Sequence, residues 1–237
     1  MMQHRDLTGN QQPIDVIFNV KVGLDRSSPA NYRPISNLST VSTILERLVL
    51  ARLRPHLTSS KNFSTFQSAY SEGHSTETVL LDVLDSVYSA ADDKQVTVLI
   101  GLDLSAAFDT VCHETLLQRL QVEFGVSGTA LSWIQSFVEG RTQFVKLGQR
   151  QSSEVELAVG VPQGSVLGPI LFTVYGSPVA DVIADHGVRY HQYADDTQLH
   201  LAMRSDNTAA GLSVLAACTA DVRLVYAERS AAEFGQV

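Results

Sequence analysis

The sequence predicts a mixed α/β fold. Val96-Thr97-Val98-Leu99-Ile100-Gly101-Leu102 is a short, β-branched apolar run of strand character, bordered on both sides by stretches with apolar residues at helical spacing. Two alternating segments flank Ala194-Asp195-Asp196-Thr197, the pattern of a hairpin. No internal repeat and no low-complexity linker interrupts the 237 residues, so one mixed unit accounts for them.

Residues 1–30 are polar without a firm period and read as a loose lead-in, with 1–14 expected to be disordered. Val41, Ile44, Leu45, Leu48, Val49 and Leu53 share one face of a helix that Pro55 should stop. Arg47, Arg52 and Arg54 lie off that stripe, as a solvated face. Residues 59–74 read as loop. Val79, Leu80, Val83, Leu84, Val87 and Tyr88 mark a second helix, with Ser75 as its N-cap and Glu77 favourable in its first turn. The run ending at Leu102 reads as a central strand covered on both faces. Leu116, Leu117 and Leu120 mark the next helix. Another spans about 129–138, with Leu131, Ile134 and Val138 inward and Gly140 as its stop. Residues 143–160 look like a strand pair. Gly168-Pro169 opens an apolar helix, with proline at its tolerated first-turn position. In the closing hairpin Leu199, Leu201 and Met203 share one side.

Composition excludes several classes. Apolar residues make up 44% and charged ones 18%, too apolar for intrinsic disorder. No stretch approaches ~18 uninterrupted apolar residues, and the best one, 166–175, is broken by Gly168 and Pro169, so no membrane contact is expected. Two cysteines, Cys112 and Cys218, rule out a disulfide scaffold or a structural zinc site. The opening residues lack the apolar core of a secretory signal, which predicts an intracellular protein, nuclear or cytoplasmic. Lys plus Arg number 17 against 25 Asp plus Glu, a formal net charge of −8. A free-standing nucleic-acid binder usually has the opposite sign.

Three features could carry chemistry. Asp103 ends an apolar strand, where an ion costs several kcal/mol unless it is solvated, hydrogen-bonded or paired with a cation. A cap on the following turn also explains it. Asp195 and Asp196 are like charges at a tight turn, a conflict that a divalent cation removes, although aspartate is also an ordinary turn residue. Carboxylates at two strand ends suit Mg²⁺, which takes one or two of them together with waters and substrate phosphates. The third feature is Gly160-Val161-Pro162-Gln163-Gly164-Ser165-Val166-Leu167-Gly168-Pro169, whose glycines allow close backbone approach and whose Gln163 offers both donor and acceptor. It is neither a Walker loop nor a nucleophile elbow. A structural turn also accounts for it. The seven histidines show no metal-ligand spacing and are read as surface or hydrogen-bonded residues.

At this point the chain resembles the reverse transcriptase domain of non-LTR (LINE-type) retrotransposons. The resemblance rests on five stretches in the family's order: Asn31-Tyr32-Arg33-Pro34-Ile35-Ser36-Asn37-Leu38, Gly73-His74-Ser75-Thr76-Glu77-Thr78, Leu102-Asp103-Leu104-Ser105-Ala106-Ala107-Phe108-Asp109, the Gly160–Pro169 run, and Tyr193-Ala194-Asp195-Asp196. It implies the fingers and palm of a right-hand polymerase over residues 15–225, an antiparallel palm sheet with packed helices, and no thumb. It further implies that Asp103, Leu104, Asp195 and Asp196 hold Mg²⁺, with Mn²⁺ as an alternative. Asp103, Asp195 and Asp196 would then be the catalytic set for joining a deoxynucleoside triphosphate to a DNA primer on an RNA template. Arg33, Ala107, Phe108, Gln163 and Gly164 would line the nucleotide. Phe108 would exclude a 2′-hydroxyl, with an ordinary core phenylalanine as the alternative.

Several positions depart from the family's usual pattern. Thr43 and Ser71 replace basic residues, Asn19-Val20-Lys21 stands where a Lys-Lys pair is usual, and Cys112 takes the place of an aspartate helix cap. From residue 226 the family's segment, with its proton-donating lysine, is replaced by Tyr226-Ala227-Glu228-Arg229-Ser230-Ala231-Ala232-Glu233-Phe234-Gly235-Gln236-Val237. Codons for these residues read one nucleotide later can spell Met-Gln-Asn-Gly-Leu-Gln-Leu-Asn-Leu-Asp-Lys-Ser, so a frameshift near residue 225 is expected. Two other readings stay open: an inactive, decayed relic of the enzyme, or a nucleic-acid-binding fragment without catalysis.

Overall fold

The computed structural model describes residues 13–20, 25, 27, 32–69, 73–104, 106–147 and 149–227. In chain order the elements are β1 (Ile14–Val20), β2 (Tyr32–Asn37), α1 (Thr40–Thr58), α2 (Thr76–Asp92), β3 (Gln95–Leu102), α3 (His113–Val122), α4 (Gly128–Val138), β4 (Arg141–Leu147), β5 (Arg150–Gln151), β6 (Val155–Leu157), α5 (Gly168–Tyr175), α6 (Val179–Asp185), β7 (Arg189–Tyr193), β8 (Asp196–Arg204) and α7 (Thr208–Ala227). A short 3₁₀ turn covers Ala107–Thr110. The chain divides into two compact units: Met1–Ser60 with Phe108–Phe172, and Lys61–Ala107 with Thr173–Val237. Neither is continuous in sequence, so no linker marks the division.

The first unit contains a sheet in the order β2-β1-β4-β5, with β6 also on β4. β1 corrects the expectation of a loose lead-in over 1–30. Ile14 and Val16 alternate into the core, and β1 pairs antiparallel with β2 and parallel with β4, contacts far away in sequence. Residues 1–12 lie outside the described residues, as do Lys21 and Ser71; so do the side chains of Asn19, Val20 and Arg33. Helix α1 corrects two further expectations. It continues through Pro55 to Thr58, its last turn held by the fully buried Leu57 and by His56, whose Nε2 donates to the Phe124 carbonyl at 2.7 Å. Its buried line is Ser42, Glu46, Leu53 and Leu57, whereas Val41, Ile44 and Leu48 of the apolar stripe are exposed. The helix is turned by Glu46, which hydrogen-bonds the segment entering α5. Helices α3 and α4 follow the sequence pattern, with Leu116, Leu120, Ile134 and Phe137 buried. Cys112 is the N-cap of α3 and makes no side-chain cap bond.

The second unit contains the antiparallel sheet β3-β8-β7. Its core joins Val179 and Ile183 of α6, Leu199 and Met203 of β8, and Leu215, Cys218 and Val222 of α7. A Cβ at Gly211 would stand 2.6 Å from the Met203 sulfur, so a larger residue there would require the Met203 side chain to move. β3 is not the doubly covered central strand expected. It pairs with β8 alone among the described residues; Val98, Ile100 and Leu102 lean on the core, while Leu99 is half exposed. Helix α2 carries the expected N-cap at Ser75, which Thr78 completes into a capping box, and buries Val79 and Val83. Helix α7 is long and apolar enough to cross a membrane by length and composition. A scan for uninterrupted apolar runs passes over it because Ser213, Thr219, Asp221 and Arg223 intervene. Tyr226 and Ala227 close α7, and Tyr226 packs near Tyr175; the remainder of the tail, 228–237, lies outside the described residues.

The reading of the histidines as surface or hydrogen-bonded fails at His200, which is 4% exposed and finds no partner for either ring nitrogen among the described residues. Burial, then Arg189, holds it below 6.5, against the opposing charge of Asp82. Burial also lowers its neighbour His191, opposed by Asp82 at 3.7 Å and aided by His74. A histidine depressed in the folded state binds fewer protons than the unfolded chain, so stability rises with pH across this range and is lost as pH falls through 6.5. Thermal melts between about pH 7.5 and 5.5 should show this fall, and His200→Gln should flatten it; a melting point constant over that window overturns the assignment.

Candidate active site

The antiparallel register of the second unit brings two of the carboxylates together. Leu102 pairs with Thr197, and one step further along the same register sets Asp103 against Asp196. Tyr193 pairs with Asp196, leaving Ala194 and Asp195 as a two-residue hairpin turn. The Asp196 carboxyl is raised above 3.8 by burial and by the charges of Asp195 and Asp103, so the three aspartates act on one another. Asp103 and Asp196 are exposed and Asp195 half-buried, rather than capping buried strands as the sequence suggests. None of the three is in a salt bridge among the described residues. Arg223, from α7, lines with Asp103, Leu104 and Thr197 a small open cleft beside this cluster.

The donor chemistry fits a hard divalent cation: oxygen ligands only, mutually repelling and open to water on one side. Among the described residues no group of three or more His, Cys, Asp or Glu side chains is placed to hold a metal ion by itself. An ion here would therefore share its coordination with water or substrate oxygens.

The turn that carries Asp195 is held from outside the hairpin. Ala194 has φ +58°, a left-handed conformation costly for a residue with a Cβ. The buried Gln67 side chain donates from Nε2 to the Ala194 carbonyl at 3.0 Å, and the Ala194 N–H donates to Gln67 Oε1 at 2.9 Å. Gln67 belongs to the stretch 59–74 that the sequence predicts as loop. Its role leaves no local pattern, because both partners are 127 positions away.

The nucleotide-side candidates fall mostly in the first unit. The Phe108 carbonyl accepts the Val161 N–H at 2.8 Å, and the Gly160 N–H donates to Val111, tying the 3₁₀ turn to the glycine-rich run. Gln163 donates from Nε2 to Asp109 at 3.0 Å, and its carbonyl accepts the Ser36 N–H from β2 at 2.9 Å. Burial raises the Asp109 carboxyl, and Gln163 opposes that. The glycines serve the chain's own packing. A Cβ at Gly160 would meet the Asp109 carbonyl at 3.0 Å, and Gly164, at φ +94°, faces Ile35 at 3.3 Å. Phe108 is half-buried against Phe172, ring centroids 4.9 Å apart. Ala107 is buried and belongs to the second unit. Arg33 lies in β2, three residues before Ser36. The structure therefore gathers Asp103, Asp195 and Asp196 in one unit, and joins Phe108, Gln163 and Gly164 with the end of β2 in the other.

Sequence reasoning also misses Glu46. It is fully buried and accepts from Val166 N–H at 2.7 Å, Leu167 N–H at 3.2 Å and Ser42 Oγ at 3.1 Å. Arg141, 4% exposed, stands over the Phe137 ring and donates to the Phe137 carbonyl; burial lowers it to about 10, opposed by the charge of Glu46.

Comparison with known proteins adds to this geometry. The family model described as "Reverse transcriptase (RNA-dependent DNA polymerase)" matches residues 21–228. The chain is 33% identical over 195 residues to the probable RNA-directed DNA polymerase from transposon BS of Drosophila melanogaster, covering 80% of this chain and 21% of that one. It is 35% identical over 188 residues to the RNA-directed DNA polymerase from mobile element jockey of the same organism, covering 77% and 20%. It thus spans about one fifth of the length of these curated relatives. In fold it is similar to telomerase from Candida albicans in complex with a TWJ fragment of telomeric RNA, with TM-score 0.57 at 14% identity over 87% of this chain and 39% of that one.

Proposed function

The chain belongs to the reverse transcriptase (RNA-dependent DNA polymerase) family, and from that premise we propose that it carries the fingers and palm of an RNA-directed DNA polymerase of a non-LTR retrotransposon. The observation that supports this most is the meeting of Asp103, Asp195 and Asp196 at the joined ends of β3, β7 and β8, with mutual repulsion felt at Asp196. The substrates are deoxynucleoside triphosphates, a DNA primer and an RNA template.

Asp103, Asp195 and Asp196, with the main chain at Leu104, would hold Mg²⁺, or Mn²⁺ in its place. Such ions, when bound, ease deprotonation of the attacking 3′-hydroxyl and offset charge on the leaving phosphates. The chain's own contribution is to fix carboxylates on a rigid hairpin and to shape the nucleotide's surroundings. Gln163, fastened by Asp109 and by the end of β2, offers a polar surface to the base or sugar. Arg33 supplies a fork suited to triphosphate oxygens.

The test is extension of a DNA primer on an RNA template with Mg²⁺ and deoxynucleotides, by the chain and by a form lengthened in the expected original frame after residue 225. Templated extension that depends on Asp195 supports the proposal; no extension by either form overturns it. A second measurement concerns the sugar. In this reading Phe108, packed against Phe172, would be the side chain that excludes a 2′-hydroxyl. Phe108→Val should lower discrimination between deoxy- and ribonucleotides by ~10²-fold in kcat/KM. Unchanged discrimination would make Phe108 a core residue only.

A further inference from the structure

We propose that Gln67 is a positioning residue for the carboxylate turn: its amide clamps both backbone groups of Ala194 and so sets the placement of Asp195 and Asp196. The inference rests on the reading of these aspartates as the reacting set. Tyr193 and Asp196 close the hairpin, so the N–H and carbonyl of Ala194 have no strand partner and must be satisfied elsewhere. Gln67 satisfies both, at 2.9 and 3.0 Å, from a side chain only 6% exposed. A carboxylate at 67 could accept but not donate, and a lysine could donate but not accept, so the amide is the side chain this geometry requires.

The clamp is itself held in place. Gln67 forms a parallel bridge with Gln192 of β7, while Ser68 N–H donates to the Gln192 carbonyl and Gln192 N–H to the Phe66 carbonyl. The Ser68 hydroxyl meets His191 Nε2 at 2.7 Å, Ser64 meets the Tyr190 hydroxyl at 3.0 Å, and Oε1 of Gln67 also accepts from Ala69 N–H. Residues 64–69 form a splint along β7 whose end carries the amide. Ala194 keeps its left-handed φ under this constraint, and the turn delivers two adjacent carboxylates beside Asp103.

The experiment uses the full chain with Gln67→Met, which keeps the volume and removes both hydrogen bonds to Ala194 along with the one from Ala69 N–H; Ala194→Gly, which tolerates positive φ; and the double variant. Three quantities are read: amide exchange at Ala194, binding of Mn²⁺ alone by electron paramagnetic resonance, and kcat with KM for the deoxynucleotide. Gln67→Met should speed exchange at Ala194 about tenfold and weaken Mn²⁺ about tenfold, leaving the amides of Leu199 and His200 unchanged. It should lower kcat by about 10- to 100-fold with KM for the nucleotide within about twofold. Ala194→Gly should restore part of the Mn²⁺ affinity in the Gln67→Met background, since glycine holds the turn without the clamp. Unchanged Ala194 exchange and Mn²⁺ binding in Gln67→Met overturn the proposal, as does faster exchange throughout β7 and β8, which would make Gln67 a general prop of the fold. If the unaltered chain neither binds Mn²⁺ nor extends primers, the functional reading falls, and Ala194 exchange still decides whether Gln67 holds the turn.

Discussion

Replacing Asp195 with asparagine should lower primer extension by about 10³-fold or more, equivalent to ~4 kcal/mol of transition-state stabilisation. Asparagine keeps the shape and turn propensity of aspartate and removes only the charge, so the loss isolates electrostatics from folding. Stability should move the other way. The Asp196 carboxyl is held above 3.8 partly by Asp195, and removing that neighbour relieves like-charge repulsion. The melting point of Asp195→Asn should therefore equal or exceed that of the unaltered chain. Single-turnover extension with Mg²⁺, paired with thermal melts, checks both outcomes. Activity within about tenfold of the parent would reduce Asp195 to an ordinary turn residue.

Glu46→Ala should cost ~3–5 kcal/mol of stability. The carboxylate is completely buried and satisfies two backbone N–H groups, of Val166 and Leu167, that enter α5. Its charge also opposes the effect of burial on Arg141. Removing it leaves a buried and a half-buried N–H donor unpaired and takes an opposing charge from the buried Arg141 guanidinium, each a large penalty in a medium of low dielectric. A fall in melting point of roughly 10 °C follows for a protein of this size. Glu46→Gln should cost less, because its amide oxygen still accepts while the charge is lost. Equal costs for the two variants would mean that charge, and not hydrogen bonding, is what Glu46 supplies. A negligible cost for Glu46→Ala would remove Glu46 from the core altogether.

Helices α3 and α4, the start of α5, the Ser75 cap and the β7–β8 hairpin were all legible from sequence, because periodicity, capping chemistry and two-residue turns depend on neighbours a few positions apart. Position along the chain was enough to mark Asp103, Asp195 and Asp196 as acids at strand ends. Their residue types and order, together with Gly160–Pro169, also identified the family that the comparison bears out. Periodicity misassigned part of α1, where Val41, Ile44 and Leu48 of the apolar stripe face outward. A buried glutamate with two distant N–H partners turned the helix, and hydropathy counts such a residue as surface. Strand β1 was missed because its partners lie across the sheet, and Pro55 failed to end α1 because packing at Leu57 and His56 outweighs proline's local cost. Gln67 is the clearest case: nothing near it in the chain distinguishes it from other loop residues, and its function follows from two hydrogen bonds to a turn 127 positions on. Residue chemistry and short-range spacing identified which groups could react. Long-range pairing alone assigned which of them meet and what holds them, since a contact between distant residues leaves no periodic trace in the chain.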